Sequence, residues 1–308
     1  MVSKEMVGRL GNQMFQYAAI RAVQELNNDD EAICISFKKY VEARGYKNEL
    51  NNFKIKQINQ VDQIKMNYIQ YALIFIVKLV EKFLSFFITK QYEYKRYLFE
   101  KKIAKILNKF GIYFMRQGYS ELKKTNAKNK ILIGYFESEK YFDNIRDMLL
   151  EEFTPLKPKI EANKELYEAI EKTNSVCVTI RRGDFVTDEN TRKNHYICTP
   201  EYFYEAIEKV KEIIENPRFF VFSDDVEWVK ENMKFPPDTL YESGKDPVWE
   251  KLRLMYSCKH FIISNSTFSW WAQYLSRNNK KIVIAPSKWR NEGYSKDIYC
   301  DNWILIDV

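Results

Sequence analysis

Two adjacent arginines follow a short apolar segment in the second half of the chain. Residues 176–180 read Val-Cys-Val-Thr-Ile, which predicts a buried strand, and Arg181, Arg182, Gly183 and Asp184 come next. Arginine presents a flat, permanently charged fork of donors that matches phosphate oxygens two at a time, which lysine cannot do. The segment therefore predicts an anion site, and the competing interpretation is an ordinary surface turn.

Polar clusters follow three other predicted strands of the second half: Ser223-Asp224-Asp225, Ser264-Asn265-Ser266-Thr267 and Ser287-Lys288. Strands alternate with helices in this half, which predicts an open parallel sheet with helices on both faces. Such sheets bind ligands beyond the carboxyl ends of their strands, near the point where the strand order reverses. We therefore expect the four clusters to meet at one edge of the sheet, which favours the anion site over the surface turn.

The chemistry of these side chains suits a nucleoside diphosphate. Ser266 and Thr267 can donate from their hydroxyl groups, while the helix that follows them supplies backbone N–H groups. Asp224 or Asp225 can accept hydrogen bonds from a ribose or from a base such as guanine. Neither G-x-x-x-x-G-K-[ST] nor G-x-G-x-x-G after a strand is present, which disfavours P-loop NTPases and ordinary dinucleotide enzymes.

No metal ion or other cofactor is predicted. The sequence has no D-x-D motif, and neither histidine has metal-like partners nearby. We therefore expect the arginines to neutralise phosphate without a divalent ion. Two carboxylate pairs, Asp224 with Asp225 and Glu137 with Glu139, leave a Mg²⁺ site open as an alternative.

A second candidate ligand loop lies near the N-terminus. Residues 1–26 read as a weak strand, a turn and an amphipathic helix that begins near Asn12. The N-terminal end of a helix favours anions, because its free N–H groups and its dipole point toward the ligand. The alternative is a plain strand-to-helix connection with Asn12 as the N-cap. The candidate ligand residues of this loop are Arg9, Gly11, Asn12 and Gln13.

Two prolines near the middle of the chain, Pro155 and Pro158, predict a linker between two domains. We place an N-terminal domain over residues 1–155 and a C-terminal domain over residues 156–308. Residues 66–120 are aromatic, apolar and basic, and they predict one or two helices inserted in the first domain. Charges interrupt this segment before the ~20 apolar residues that a membrane span needs. Its lysines are either solvated or part of a basic amphipathic surface that rests on anionic lipid.

The composition fits a folded protein of about two domains. The chain has 308 residues, of which 45% are hydrophobic and 16% aromatic, and its formal charge of +7 is too mild to choose between anionic ligands, nucleic acid and lipid. Five scattered cysteines without C-x-x-C spacing predict free thiols in a reducing compartment. The N-terminus shows no signal-peptide pattern, so we expect a cytoplasmic protein.

Four motifs occur in order along the chain: Gly8-Arg9-Leu10-Gly11-Asn12-Gln13-Met14-Phe15-Gln16-Tyr17, Arg181-Arg182-Gly183-Asp184, Phe222-Ser223-Asp224-Asp225 and Ser264-Asn265-Ser266-Thr267-Phe268-Ser269-Trp270-Trp271. Together they resemble the bacterial α-1,2-fucosyltransferases of glycosyltransferase family 11. The resemblance implies a GT-B fold of two Rossmann-like α/β domains that face each other across a cleft. It also implies inverting, metal-independent transfer from GDP-L-fucose to a galactose hydroxyl of an oligosaccharide or cell-surface glycan precursor. Thr179 departs from the family, which often has a histidine there.

The resemblance also implies roles for single residues. Arg181 would contact the β-phosphate and stabilise the departing GDP. The catalytic candidates are Arg181, Asp184 and Asn12. The donor-binding candidates of the second, GDP-sugar-binding domain are Arg181, Arg182, Ser223, Asp224, Asp225, Ser264, Asn265, Ser266 and Thr267. Arg9 and Gly11 complete the donor set, and Gln13 and Glu137 are candidates on the acceptor side, in the first domain.

Two questions stay open at this point. Asp184 is either the general base or a carboxylate that orients an arginine, Glu137 is the next candidate for the base, and the third alternative is that the reaction uses no general base. The competing functions are another GDP-sugar transferase of the same fold and a non-catalytic basic module that binds nucleic acid or membrane. We expect no nucleic-acid partner and allow a peripheral contact with the inner membrane surface.

Overall fold

The computed structural model describes residues 1–28, 32–87 and 93–308. The chain divides into two compact units. The N-terminal unit comprises Met1–Glu152 and Glu292–Tyr299, and the C-terminal unit comprises Phe153–Asn291 and Cys300–Val308. The sequence-based boundary after residue 155 differs from this division in one notable way, because Glu292–Tyr299 belong with the first unit.

The N-terminal unit is built on a five-stranded parallel sheet. Its strands are β1 (Val2–Glu5), β2 (Ile33–Ser36), β3 (Ile58–Gln60), β4 (Ile112–Met115) and β5 (Lys130–Gly134), in the order β3-β2-β1-β5-β4. The strand order reverses between β1 and β5. The loops that follow these two strands carry Gly8–Gln13 and Glu137, so the candidate residues of this unit leave the sheet at the same end.

The helices of this unit are α1 (Leu10–Asn27), α2 (Tyr68–Phe87), α3 (Glu93–Asn108) and α4 (Arg146–Glu152). Both α2 and α3 lie in the segment 66–120, where helices are predicted, but this segment also contains β4. Gly111 allows the turn into β4 because its φ of +74° places the backbone where a Cβ would meet the carbonyl of Asn129. No helix in the described ranges is both long and apolar enough to cross a membrane.

Residues Glu292–Tyr299, here called the return segment, pack on the N-terminal unit through two side chains. The ring of Tyr294 stacks on Tyr97 with the centroids 4.0 Å apart. Asp297 accepts a hydrogen bond from the backbone N–H of Tyr119 at 2.9 Å and forms an ion pair with Lys140 at 3.6 Å. The contact of Tyr119 with Asp297 joins residues 178 positions apart in the sequence.

Lys4 of β1 is a buried cation, with 2% of its surface exposed. Its Nζ lies 3.4 Å from the carbonyl oxygen of Glu5 and 5.7 Å from the centroid of the Phe136 ring. Burial lowers the pKa of Lys4 to about 7, against a smaller opposing effect of the Glu5 carboxylate. The charged ammonium therefore costs folding free energy at neutral pH.

Replacing Lys4 with methionine is expected to stabilise the N-terminal unit by about 2 kcal/mol near pH 6. Between the folded pKa of about 7 and the unfolded value of 10.5, the unfolded chain binds more protons than the folded one, so the unsubstituted protein gains stability as the pH rises. The advantage of Lys4→Met should therefore shrink across this window. Hydrogen exchange of the β1 and β2 amides, corrected for intrinsic rates, measures it.

The exposed Lys128, in the loop before β5, provides the control. Lys128→Met should change the free energy of opening by no more than about 0.5 kcal/mol at either end of this pH window. A Lys4→Met advantage that stays constant with pH would mean that the ammonium of Lys4 is not desolvated.

The C-terminal unit is built on a six-stranded parallel sheet. Its strands are β6 (Asn174–Ile180), β7 (Pro217–Ser223), β8 (Leu240–Tyr241), β9 (His260–Ile262), β10 (Val283–Pro286) and β11 (Ile304–Ile306), in the order β11-β10-β9-β6-β7-β8. The prediction of a parallel sheet with β6, β7, β9 and β10 is confirmed. The strand order reverses between β6 and β9, so the switch point lies beside the strand that ends before Arg181.

The helices of this unit are α5 (Lys164–Lys172), α6 (Gly183–Thr187), α7 (Glu189–His195), α8 (Pro200–Ile213), α9 (Val226–Asn232), α10 (Val248–Ser257) and α11 (Thr267–Leu275). Apolar side chains of β6 and α8, including Val176, Val178 and Phe203, form the core on one side of the sheet. Trp270 and Trp271 of α11 are fully buried and pack edge to face, with Phe153 against Trp271 at 5.0 Å.

Glu250 of α10 is a fully buried carboxylate of the C-terminal unit. Its Oε1 accepts hydrogen bonds from the backbone N–H of Ile160 and from the hydroxyl of Tyr167, both at 3.0 Å. Its Oε2 lies 3.4 Å from Nη1 of Arg253. One carboxylate thus joins α10 to α5 and to the segment that precedes it.

Candidate active site

The register of β6 and β7 brings Arg181 and Asp224 together. Ile180 at the end of β6 is paired with Ser223 at the end of β7, so the next residues leave the sheet side by side. Nη1 of Arg181 lies 2.5 Å from Oδ2 of Asp224, and Nη2 of Arg181 pairs with Oδ1 of Asp184. The guanidinium group of Arg181 is therefore held between two carboxylates at the carboxyl end of the sheet.

Arg182 is fixed by the same turn through three contacts. Its backbone N–H donates to Oδ1 of Asp224 at 2.8 Å, and its Nε donates to Oδ2 of Asp225 at 3.1 Å. Its guanidinium carbon lies 3.1 Å from the centroid of the Trp228 ring on α9. Only 12% of the Arg182 side chain is exposed, because the indole and the carboxylate cover it.

Gly183 is required by the close packing of this turn. A Cβ at this position would collide with the carboxylate of Asp224, which is the group that holds both arginines. The next residue, Asp184, lies in the first turn of the short helix α6. The turn therefore has no room for a side chain at position 183.

The arrangement suits the binding of a phosphate group by Arg181. A guanidinium has five N–H donors, and the two ion pairs of Arg181 engage one terminal nitrogen each, so each of these nitrogens keeps a second N–H that can donate to a ligand. The side chain is 23% exposed, so it is reachable and yet held in position. A charged donor held in position loses little conformational freedom when it binds an anion.

The turn between β9 and α11 lies next to the Arg181 turn, because β9 is the neighbour of β6. The backbone N–H of Ser264 donates to the hydroxyl of Thr179 at 3.1 Å. Thr179, at the position where the resembled family often has histidine, thus ties the end of β6 to the β9–α11 turn.

The predicted donor-binding residues of this turn differ in their accessibility. Asn265 is buried, and its Nδ2 donates to the carbonyls of His195 and Trp289, each at 2.9 Å. The buried hydroxyl of Ser264 lies 3.2 Å from that of Ser269. Ser266 and Thr267 are half-buried at the N-terminus of α11, where the hydroxyl of Ser266 accepts from the N–H of Phe268 at 3.3 Å.

Ser223, Asp224 and Asp225 make contacts inside the β7–α9 turn. The buried hydroxyl of Ser223 accepts a hydrogen bond from the N–H of Asp225 at 3.0 Å. Both aspartates contact the arginines, whereas the sequence predicts only that the two clusters lie at the same edge of the sheet. The predicted contact of Asp224 or Asp225 with a base or ribose stays a prediction.

His195, at the end of α7, is a part of this region that the sequence reasoning missed. Its ring stacks on Phe185 with the centroids 5.2 Å apart, and the guanidinium of Arg181 lies 5.6 Å from the same Phe185 ring. Burial lowers the pKa of His195, the charge of Arg290 lowers it further, and Asp184 opposes both effects. The sequence carries no signal for this cluster. His195 lies at the far end of α7, and only the folding of α6 and α7 brings its ring close to the arginines.

The N-terminal loop depends on one glycine and one glutamine. Gly8 has a φ of +80°, and a Cβ there would collide with the side chain of Asn12. The buried Gln13 donates from Nε2 to the carbonyls of Gly8 at 3.0 Å and of Lys47 at 2.9 Å, and its Oε1 accepts from the N–H of Glu49 at 3.1 Å. The predicted acceptor-side residue Gln13 therefore holds the loop itself together.

The other predicted residues of this unit surround that loop. Arg9 is exposed, with its guanidinium carbon 5.0 Å from the centroid of the Tyr46 ring. Gly11 is buried and Asn12 is half-buried in the first turn of α1, which begins at Leu10. Asn12 is thus inside the helix, and the alternative that makes it the N-cap is wrong.

Glu137 is half-buried in the loop after β5. It follows Phe136, which has a φ of +58°, a conformation that is rare and strained for a bulky residue. Strain of this kind is common where a loop is shaped for function. Among the described residues, no group of three or more His, Cys, Asp or Glu side chains is placed to hold a metal ion.

Known proteins match this chain over most of its length. Residues 72–307 match the profile of "Glycosyl transferase family 11". An alpha-1,2-colitosyltransferase of Escherichia coli is 34% identical over 317 aligned residues, with 99% of each chain covered. Galactoside alpha-(1,2)-fucosyltransferase 1 of Leontopithecus chrysomelas is 27% identical over 173 residues, which cover 53% of this chain and 47% of that one.

Solved structures confirm the predicted fold class. The crystal structure of NodZ alpha-1,6-fucosyltransferase soaked with GDP-fucose, from a protein of Bradyrhizobium, matches with a TM-score of 0.53 at 12% identity and covers 95% of this chain and 96% of that one. The two parallel α/β units therefore have the GT-B fold. Because the family profile spans most of the chain and its motifs lie at the carboxyl ends of parallel strands, the chain belongs to glycosyl transferase family 11 and is a glycosyltransferase.

Proposed function

We propose that this enzyme transfers L-fucose from GDP-β-L-fucose to the 2-hydroxyl of a galactose residue in a glycan. The observation that carries the proposal is the guanidinium of Arg181, which Asp184 and Asp224 hold beside the switch point of the C-terminal sheet. The family membership supports it, and so does the similarity to a galactoside alpha-(1,2)-fucosyltransferase. The alternative of a non-catalytic basic module does not fit a member of this family.

The proposed reaction is a direct displacement at the anomeric carbon. The acceptor oxygen forms a bond to that carbon as its bond to the β-phosphate oxygen breaks, and GDP leaves with the electron pair. A β-linked donor then gives an α-linked product, so the configuration inverts. Negative charge grows on the diphosphate during this step, and stabilising it is the main catalytic task.

The residues near the switch point supply this stabilisation in our proposal. Arg181 binds the β-phosphate, and Arg182 adds a second fixed positive charge. Ser266 and Thr267 donate from the N-terminus of α11, where the helix dipole also favours an anion. In this proposal the guanidinium groups take the place that a divalent ion has in other sugar transferases, and the enzyme needs no metal or cofactor.

The acceptor hydroxyl must give up its proton, and two carboxylates are candidates for accepting it. Asp184 contacts Arg181 through Oδ1, which supports the orienting role for this residue. Glu137 lies at the carboxyl end of the N-terminal sheet and is the candidate that remains for the general base. Asn12 and Arg9 are then assigned to the positioning of the sugars.

A second donor deserves a test because the E. coli relative with 34% identity is named for colitose. Colitose is L-fucose without its 3-hydroxyl group. A site that binds this hydroxyl discriminates strongly against the deoxy sugar, whereas a site without such a contact accepts both sugars. Comparing the transfer rates with GDP-L-fucose and GDP-colitose therefore shows whether the site contacts the 3-hydroxyl group of the sugar.

The test is incubation with GDP-L-fucose, GDP-colitose or GDP-mannose and a panel of galactose-terminated oligosaccharides, followed by NMR linkage analysis. We expect an α-1,2-linked fucosyl product, at a rate that EDTA does not change. A product from GDP-colitose alone would replace fucose by the second candidate. Transfer from GDP-mannose alone, or a rate that EDTA abolishes, would contradict the proposal.

A further inference from the structure

Helix α2 has apolar side chains on two opposite faces. One face packs inside the N-terminal unit, where Ile74 and Val77 contact a cluster that contains Leu107 and Ile112. The other face is exposed to solvent, and its apolar side chains are Tyr68, Ile69, Tyr71, Phe75, Ile76, Leu79 and Phe83. A surface helix of a water-soluble protein normally has polar residues on its outer face. The outer face of α2 is therefore better suited to contact with a binding partner than to contact with water.

The exposed face is large enough to be an interaction surface. Phe75, Leu79 and Phe83 are exposed by 53%, 51% and 63%, and they lie one helical turn apart. With Tyr68 at the start of the helix, the row extends for ~22 Å along the axis. Soluble monomers rarely expose a contiguous apolar patch of more than a few hundred Å², and larger patches mark binding sites for proteins or membranes.

Both helices of this segment also expose positive charge. Lys78 and Lys82 of α2 are exposed, and α3 with the turn after it adds the exposed residues Lys95, Lys102, Lys105 and Lys109. Apolar side chains lie among the α3 lysines, with Leu98 exposed by 39% and Ile106 by 59%. We use the name α2–α3 face for the exposed residues of the two helices named above, which include both apolar and basic side chains.

The acidic side chains that are described on the two helices point away from this face. Glu81 pairs with Arg116 at 2.5 Å, and Glu100 pairs with Arg96 at 3.1 Å. Both carboxylates are largely buried, so their charge is neutralised beneath the helices. Among the side chains that the structure describes on these helices, the exposed charge is consequently positive, which favours a partner with negative charge.

We propose that the α2–α3 face binds the surface of an anionic lipid bilayer. The described helices are not apolar or long enough to cross a membrane, so α2 would lie in the plane of the interface. Its aromatic and aliphatic side chains enter the boundary between headgroups and acyl chains, while the lysines contact anionic headgroups.

A second copy of the chain fits this face less well than lipid does. A two-fold dimer would place the same patch on both sides of the interface, so the lysines of one copy would face those of the other. Like charges brought together in this way repel, whereas the same lysines are attracted to anionic lipid. The charge of the face thus selects lipid over self-association.

Flotation with lipid vesicles tests the proposal independently of catalysis. The probe is phosphatidylcholine vesicles with and without phosphatidylglycerol, and binding is expected only when the anionic lipid is present. Replacing Phe75, Leu79 and Phe83 together with serine should weaken binding more than tenfold, because serine does not gain free energy as a large apolar side chain does when it leaves water. Replacing Lys102, Lys105 and Lys109 with glutamine should weaken it roughly a hundredfold at low salt.

A matched control comes from the C-terminal unit. Ile213 of α8 is also an exposed apolar residue, with 43% of its surface accessible, and Ile213→Ser should leave vesicle binding unchanged. All variants alter exposed side chains, so their unfolding temperatures and their transfer to a soluble acceptor should match the unsubstituted protein. Equal binding to neutral and anionic vesicles would overturn the proposal. So would a dimer in sedimentation velocity that the triple serine variant abolishes.

Discussion

Replacing Arg181 with lysine is expected to lower the rate of the proposed fucosyl transfer about 100-fold or more, nearly as much as replacement with alanine. The guanidinium contacts Asp184 and Asp224 through different nitrogens and still has N–H groups for phosphate. A lysine ammonium is a point charge, which cannot satisfy both carboxylates and bind two phosphate oxygens in one plane. Initial rates with GDP-L-fucose, separated into kcat and KM, measure the loss.

Arg218 provides the matched control for this substitution. It lies near the amino-terminal end of β7, at the opposite end of the same sheet, where its Nε donates to the carbonyl of Asp238 at 3.2 Å. Arg218→Lys should leave kcat within about twofold of the unsubstituted enzyme. If Arg181→Lys retains near-normal turnover, the planar contact with the diphosphate is not part of catalysis.

Replacing Glu250 with alanine is expected to destabilise the C-terminal unit by about 3–5 kcal/mol. The buried carboxylate is the acceptor for the Ile160 N–H and the Tyr167 hydroxyl, and it lies beside the guanidinium of Arg253. Its removal leaves these two donors, the side-chain amide of Asn163 at 3.4 Å and a positive charge in a region from which water is excluded, and each unsatisfied group adds to the cost. Urea unfolding measures the effect.

Tryptophan fluorescence makes this measurement specific to one unit. All six tryptophans, of which Trp228 is the first along the chain, belong to the C-terminal unit. The exposed Glu212 of α8, paired with Lys209 at 2.7 Å, gives the control: Glu212→Ala should change the stability by less than about 1 kcal/mol. Equal, small effects of the two substitutions would show that the Glu250 cluster contributes little to folding.

The strands at the centre of each sheet are the part of the fold that the sequence predicts well. β6 is observed over Asn174–Ile180, where Val176–Ile180 is predicted. The sequence also predicts strands over residues 32–37, 131–136 and 218–222, and β2, β5 and β7 agree with them to within about two residues. The short strands are a different case. β8 has two residues and β11 has three, so neither is long enough to show a hydrophobic period of its own. β4 is hidden because its apolar residues continue the composition of the helices before it.

The candidate site likewise has a part that the sequence predicts and a part that it does not. Residue type and position after a strand are enough to predict that Arg181 and Asp224 meet at one end of the sheet. Which carboxylate oxygen contacts which nitrogen depends on the pairing of Ile180 with Ser223, and one sequence does not reveal such a register. The stacking of Arg182 on Trp228 depends on the rotation of α9 about its axis, which is set by packing.

The return segment determines which residues must be exchanged together in a chimera of this enzyme and a relative. The chain passes between its two units three times, after Glu152, after Asn291 and after Tyr299. A chimera that exchanges only the residues before 153 would pair a foreign N-terminal unit with the native Tyr294 and Asp297. Those two side chains would then meet other partners than Tyr97, Tyr119 and Lys140. A productive exchange of the N-terminal unit must therefore carry Glu292–Tyr299 along with the first 152 residues.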